Sequence, residues 1–219
     1  MSPLRCENIR CLGSGAGASG QGVIEDFSAT FSSGQITAFC GPDTAGKELL
    51  LSLLGMIERP ESGRLWVRHC EVLQLPAAVF AKTRDTSFGY LFTHPHLLPS
   101  FTVAENVAMP FLRICGEDDF QERTVAALEF AGVANLHSVP VEDLDDAAHW
   151  RVAFARAIVH SPPVLIAVSP PSPLLLPLAR RLADLVGTAV LWNGEKVDIL
   201  PFADHVIEMT RHSDFRTLS

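Results

Sequence analysis

Paired cysteines are missing from this 219-residue chain: its five, Cys6, Cys11, Cys40, Cys70 and Cys115, are scattered and show no C-x-x-C spacing. That excludes a disulfide framework and a zinc-thiolate site, and leaves buried thiols in a reducing compartment. Charge is scarce too, at 19% against the usual ~25%, while 47% of residues are apolar. Intrinsic disorder is thereby excluded. Cations are the scarcer sign, 17 Lys and Arg against 25 Asp and Glu for a net charge of −8, which opposes a broad footprint on nucleic acid or anionic lipid. Long apolar runs are also lacking. The best, Leu49–Met56 and Val164–Val168, fall well short of the ~20 residues that span a bilayer. The opening MSPLRCENIRCLG has neither an apolar h-region nor a cleavage pattern, so no export is expected.

What is present reads as alternating strands and helices. Leu4–Leu12 and Val23–Phe31 have strand character on either side of the glycine-rich stretch 13–22. Gln35–Cys40 is a β-branched and aromatic strand that runs into Gly41-Pro42-Asp43-Thr44-Ala45-Gly46-Lys47 and a leucine-rich helix, Glu48–Ile57, ended by Pro60. Strand, glycine loop and helix in that order are the setting a phosphate-binding loop requires. Arg64–Cys70 and Phe88–Phe92 read as further strands. From 93 to 160 only helical spacing is evident, at Val103–Met109, Phe120–Ala131 and Arg151–Val159. Strands return at Val164–Val168, Ala189–Trp192 and His205–Met209, with a helix over Leu174–Val186. This predicts an α/β fold in which residues 1–92 and 161–219 form the core and 93–160 a helical subdomain.

Six pieces in order carry a resemblance: Gly41-Pro42 with Gly46-Lys47; Ser62-Gly63; Phe88-Gly89-Tyr90-Leu91-Phe92; His96-Leu97-Leu98-Pro99; Thr102-Val103-Ala104-Glu105-Asn106-Val107 with Pro110; and Arg151-Val152-Ala153-Phe154-Ala155-Arg156-Ala157. Together they resemble the ATP-binding subunit of ABC transporters, nearest to the lipoprotein-release, macrolide-export and cell-division cassettes. The resemblance implies a P-loop NTPase-like ABC ATPase core with a β-subdomain and an inserted helical subdomain. It also implies a cytoplasmic subunit, peripheral on the inner face of the cell membrane, that pairs with a second cassette or a second copy and docks on an integral-membrane permease.

The same alignment shows where this chain departs from the family. The adenine-stacking aromatic falls on Leu12 and the glutamine that links Mg²⁺ to the permease on Thr93. Glu48 replaces the hydroxyl that would hold Mg²⁺, and Asp43 lies inside the loop. The signature serine and glycines fall on Asp145, Asp146 and Ala147. The metal-side aspartate and the catalytic glutamate fall on Val168 and Ser169, the D-loop aspartate on Leu175 and the switch histidine on Gly194. A carboxylate about 4 Å from a phosphate oxygen costs on the order of 4 kcal/mol at an effective dielectric near 20, about a thousandfold in affinity.

Phosphoryl transfer needs the metal held, the water oriented and the developing charge stabilised together. The expectation is therefore a degenerate cassette with no catalytic residue and no metal, which binds ATP weakly at Gly41–Glu48 or not at all. Lys47 then pairs with Asp43 or Glu48. The Asp143–Asp146 cluster reads as a solvated helix N-terminus, and His94 and His96 as surface polar groups rather than ligands. Phe101, Val103, Met109, Phe111 and Leu112 form either the apolar floor of a groove for the permease or part of the helical subdomain's own core. The competing functions are a working ATPase with unusual motifs, driving export or lipid and lipoprotein extraction, and a soluble interaction module detached from transport.

Overall fold

The alternation of β1 (Leu4–Leu12) breaks once: Leu4, Cys6 and Ile9 are all buried, although Cys6 and Ile9 are an odd number of residues apart. A bulge reconciles them. Asn8 takes φ 50° and the pairing register shifts between Cys6 and Ile9, which returns the apolar side chains to the inner face. The computed structural model describes residues 2–12, 23–42, 46–114, 119–168, 172–210 and 215–218, with no side-chain description at 112, 113 and 215–218.

β1 lies between β2 (Val23–Phe31) and, further along the chain, β4 (Ser62–Val67), which turns into the short β5 (Cys70–Glu71). These form an antiparallel sheet of order β2-β1-β4-β5. Between β2 and β4 the chain supplies β3 (Ile36–Cys40), buried at all five positions, and α1 (Lys47–Leu54). α2 (Ala77–Ser87) leads directly into β6 (Phe88–Leu91). The helices α3 (Val103–Ile114), α4 (Phe120–Ala131) and α5 (Asp146–Ile158) follow, then β7 (Val164–Ala167), α6 (Leu176–Val186), β8 (Ala189–Asn193), α7 (Lys196–Ile199), β9 (His205–Met209) and β10 (Phe215–Leu218).

The second sheet has the order β10-β9-β3-β8-β7-β6, parallel except for β10. Its inner strands are covered on both faces, which is why β3, β7 and β8 read as unbroken apolar runs rather than alternating ones. On one face Phe39, Ile166 and Leu191 pack with α1 and the antiparallel sheet. On the other, Ala38, Leu165 and Val190 join a cluster that continues through α6 into α3, α4 and α5. The helices of 103–158 thus share one core with the sheet.

Several elements differ from the pattern expected of the sequence. α2 buries only Phe80 and Ser87, so it has no apolar stripe to detect. α3 passes through Pro110 to Ile114; full burial of Phe111 offsets the missing N–H bond. α5 starts at Asp146 because Asp145 caps it, its Oδ1 accepting the Ala148 N–H at 2.7 Å. The thiols are not uniformly buried. Cys6 and Cys40 are, Cys11 is half-buried, and Cys70 is exposed where β5 leaves its turn; Cys115 lies outside the described residues. Burial pushes the Cys6 thiol up to about 12. Among the described residues no helix is long and apolar enough to cross a membrane.

Candidate functional site

In a sheet of this kind ligands sit beyond the carboxyl ends of the strands. β3 ends at Cys40 and delivers Gly41, where φ is 127° and a Cβ would collide with the main-chain oxygen of Met209. Only glycine fits there. Pro42 is exposed; Asp43, Thr44 and Ala45 lie outside the described residues. Gly46, left-handed at φ 77°, caps α1 without a side-chain hydrogen bond. The Lys47 side chain is buried at 4% exposure and its Nζ donates to the Gly41 carbonyl at 2.7 Å. The lysine therefore folds back on the loop's own backbone. Glu48 stands half-buried in the first turn. Across the same end, Lys196 pairs with Glu208 at 3.3 Å.

The neighbouring strand ends carry the other aligned positions. Val168 is 6% exposed, and its side chain belongs to the apolar cluster that includes Leu49 and Ile166. Its N–H donates to the Leu91 carbonyl at 2.9 Å. Its carbonyl accepts from the Asn193 amide at 2.6 Å, in a buried pair. Asn193 was not singled out in the sequence. A buried amide closing β8, one residue before Gly194, is the signal that would have found it. Gly194 follows with its N–H aimed at the Phe39 carbonyl at 3.4 Å. Leu175 is fully buried. Ser169 lies outside the described residues. Leu12 is 43% exposed at the end of β1, its N–H bonded to Glu61 at 3.1 Å. Thr93, Asp145, Asp146 and Ala147 are all exposed.

A second constellation surrounds the chain between β6 and α3. Phe88, Tyr90 and Phe92 stack in sequence, with centroids 6.1 and 5.8 Å apart, and His96 meets Phe92 edge-on at 5.9 Å. His94 extends the row against His96. The Arg156 guanidinium grips the carbonyls of Pro95 and His96. Beneath this stack lies a recess of about 230 Å³, walled by Tyr90, Pro110 and Arg156. Asn106, fully buried, returns the chain to α3: its Oδ1 accepts from Leu98 N at 2.7 Å and its Nδ2 donates to the carbonyls of Leu98, Phe101 and Thr102.

The groove expectation divides here. Val103 and Phe111 are fully buried in the core shared with α4 and α5, so they line no surface; helical spacing alone does not distinguish the two faces. The side chain of Leu112 lies outside the described residues. Phe101, 42% exposed, and Met109 instead line a groove of about 790 Å³ between α3 and α4. Ala104 and Ala108 floor it, and Phe120 and Val125 form its far wall.

The family described as ABC transporter matches residues 24–170. The lipoprotein-releasing system ATP-binding protein LolD of Anaeromyxobacter dehalogenans is 33% identical over 150 residues, 68% of this chain; the match spans 63% of that relative's length. Among solved structures, the dimeric post-hydrolysis state of the ATP-binding cassette MJ0796 bound to ADP and Pi superposes with a TM-score of 0.83 at 19% identity, covering 99% of this chain and 98% of that one. The structure of cbiO1 from Clostridium perfringens gives 0.82 at 22% identity, over 98% and 87% of the two chains. At these identities the structural likeness establishes the fold.

Proposed function

The chain belongs to the ABC transporter family, and on that premise we propose that it is a cassette subunit that docks on a membrane permease without hydrolysing ATP. The observation that carries this reading is the end of β7. Where phosphoryl transfer in this fold calls for carboxylates, the described chain offers the apolar Val168 side chain, packed in the core, and a carbonyl already taken by Asn193. That donor set does not suit a bound Mg²⁺, which takes oxygen ligands from carboxylates and substrate phosphates. Lys47 bonded to Gly41 and Glu48 in the hydroxyl's place support the same view. Leu12 offers no π-face for a purine.

The subunit acts as a structural or regulatory component, peripheral on the cytoplasmic face of a membrane. LolD is by name part of a lipoprotein-releasing system, and cbiO1 part of the ABC transporter complex cbiONQ; a permease is the partner this suggests. MJ0796 is dimeric, which supports pairing with a second copy or a second cassette. The groove at Phe101 and Met109 is the surface offered to the permease.

Isothermal titration with Mg-ATP and a phosphate-release assay, on the protein alone and on its permease complex, test this. No turnover is expected in either form. Turnover that disappears in Lys47→Ala would overturn the proposal. A second reading, weak nucleotide binding without hydrolysis, is favoured by the retained Gly41, Gly46 and Lys47 and would register as heat of binding alone.

A further inference from the structure

We infer that Glu105 makes the groove between α3 and α4 selective for a helical segment that carries a lysine or arginine beside its apolar face. The inference rests on the permease-docked reading above and specifies the chemistry of the docking segment.

The groove has the form of a helix receptor. Ala104 and Ala108 are four residues apart on one face of α3, so their methyl groups make a shallow floor along the helix. Phe101 and Met109 line it on the same side, Phe120 and Val125 come from α4, and Thr102, Gln121, Thr124 and His137 supply its uncharged polar groups. The exposure of Phe101 and Val125, 42% and 41%, leaves large apolar surfaces to be covered. Small floor residues with apolar walls admit a helix at close range, and helix-in-groove recognition works through such anchors.

Glu105 is the one formally charged side chain lining this groove among the described residues. Thr102 and Glu105 form a capping box: Oε2 accepts the Thr102 N–H and the Thr102 hydroxyl, each at 2.8 Å, while Glu105 N–H donates to Thr102 Oγ1 at 3.3 Å. These bonds to Thr102 hold the carboxyl below its ordinary range, hence ionised at neutral pH. Both bonds fall on Oε2, so Oε1 is fixed in direction and available to a partner. The rotamer entropy that weakens an exposed ion pair is already spent inside the protein. The cytoplasmic loops of membrane proteins carry an excess of Lys and Arg, the sign that a lone carboxylate on an apolar rim complements. A glutamate whose helical role is capping thus serves as the charge selector of the docking surface.

A library of helical peptides displayed on phage, selected against the full chain, tests the inference. The selected pool should show apolar residues at three- and four-residue spacing and a Lys or Arg at one position. Glu105→Gln keeps the capping box, since glutamine also accepts from Thr102, but removes the charge. It should weaken a selected peptide about fivefold, the upper range for an exposed ion pair, and flatten its salt dependence while the variant stays folded, as circular dichroism at the binding temperature would show. Met109→Asp and Val125→Asp should each abolish binding. Selected peptides without a basic residue, binding indifferent to Glu105→Gln, or a pool insensitive to both groove variants would overturn the inference. Concentration-dependent dimerisation abolished by Met109→Asp would assign the groove to a second copy and overturn it as well. Lys47-dependent ATP turnover would defeat the non-hydrolysing reading and leave the peptide result untouched, so the two fail separately.

Discussion

The side-chain amide of Asn193 donates to the main-chain carbonyl of Val168 across 2.6 Å, joining the carboxyl ends of two adjacent parallel strands, β8 and β7. Both residues are buried. The link fixes the spacing of the two loops that leave these strands, at the end of the sheet where a ligand would bind. Replacing Asn193 with leucine strands that carbonyl without a donor, at a cost of about 1–3 kcal/mol. The urea midpoint should fall accordingly, and an unchanged midpoint would show that the bond contributes nothing.

Rebuilding the aligned positions should restore binding before turnover. Val168→Asp alone places a carboxylate at a site 6% exposed within an apolar cluster and should destabilise the protein by at least about 2 kcal/mol. Combined with Ser169→Glu and Glu48→Ser, it should bring Mg-ATP binding detectable by titration, with the melting temperature rising as ligand is added. Phosphate release should stay at background, because Asp145 and Asp146 are unchanged.

Asn106 holds the turn that leads into α3 through four hydrogen bonds to main-chain groups from Leu98 to Thr102. Asn106→Ala should cost about 1–3 kcal/mol, since it leaves the Leu98 N–H unpaired, while the carbonyls of Leu98, Phe101 and Thr102 keep the main-chain donors Phe101, Val141 and Asn106. Limited proteolysis should then cut between residues 94 and 102 much faster than in the parent protein. An equal cutting rate would count against the pinning role.

Asp204 links β9 to β3: its Oδ2 accepts the Ile36 N–H and the Arg180 guanidinium, each at 2.7 Å. Burial acts to raise this carboxyl, but the Ile36 N–H and Arg180 outweigh it and hold the group below its ordinary range. A depressed carboxyl stabilises the fold above its unfolded pKa of about 3.9 and ceases to do so as the pH falls through the lower folded value. Asp204→Asn should therefore lower the melting temperature near pH 7, and the gap to the parent protein should close as the pH falls below the ordinary carboxylate range. A gap between the two that is independent of pH would refute the assignment.

The strands that carry the site could be read because burial on both faces makes β3, β7 and β8 continuous apolar runs, and glycines at 41 and 46 mark the turn that follows. Asp145 could be placed at a helix start from its charge and position. α2 could not be seen, since it touches the core through little more than Phe80. The groove was half legible: Phe101 and Met109 line it, whereas Val103 and Phe111, of the same residue type, fill the core behind them. Periodicity locates an apolar face but not the partner that covers it, and α3 has apolar side chains on both. Asn106 lies within one of the six resembling pieces and Asn193 is the polar residue that closes an apolar strand, but neither shows in the sequence which carbonyls it binds, because that depends on what the fold brings within reach.

Among the described residues β3 has as neighbours only β8 and β9, and the bond from Ile36 to Asp204 spans 168 residues of chain. During synthesis this strand, buried at all five positions, is the first of the parallel sheet to emerge and waits for most of the remaining chain before either edge can be paired. The antiparallel sheet and the three helices of 103–158 are built from contacts closer in sequence and can form meanwhile. Completion of the parallel sheet thus waits for β8 (Ala189–Asn193) and β9 (His205–Met209), and a ribosome stalled before β8 would release a chain with an open apolar strand edge, the kind of species that aggregates or engages chaperones.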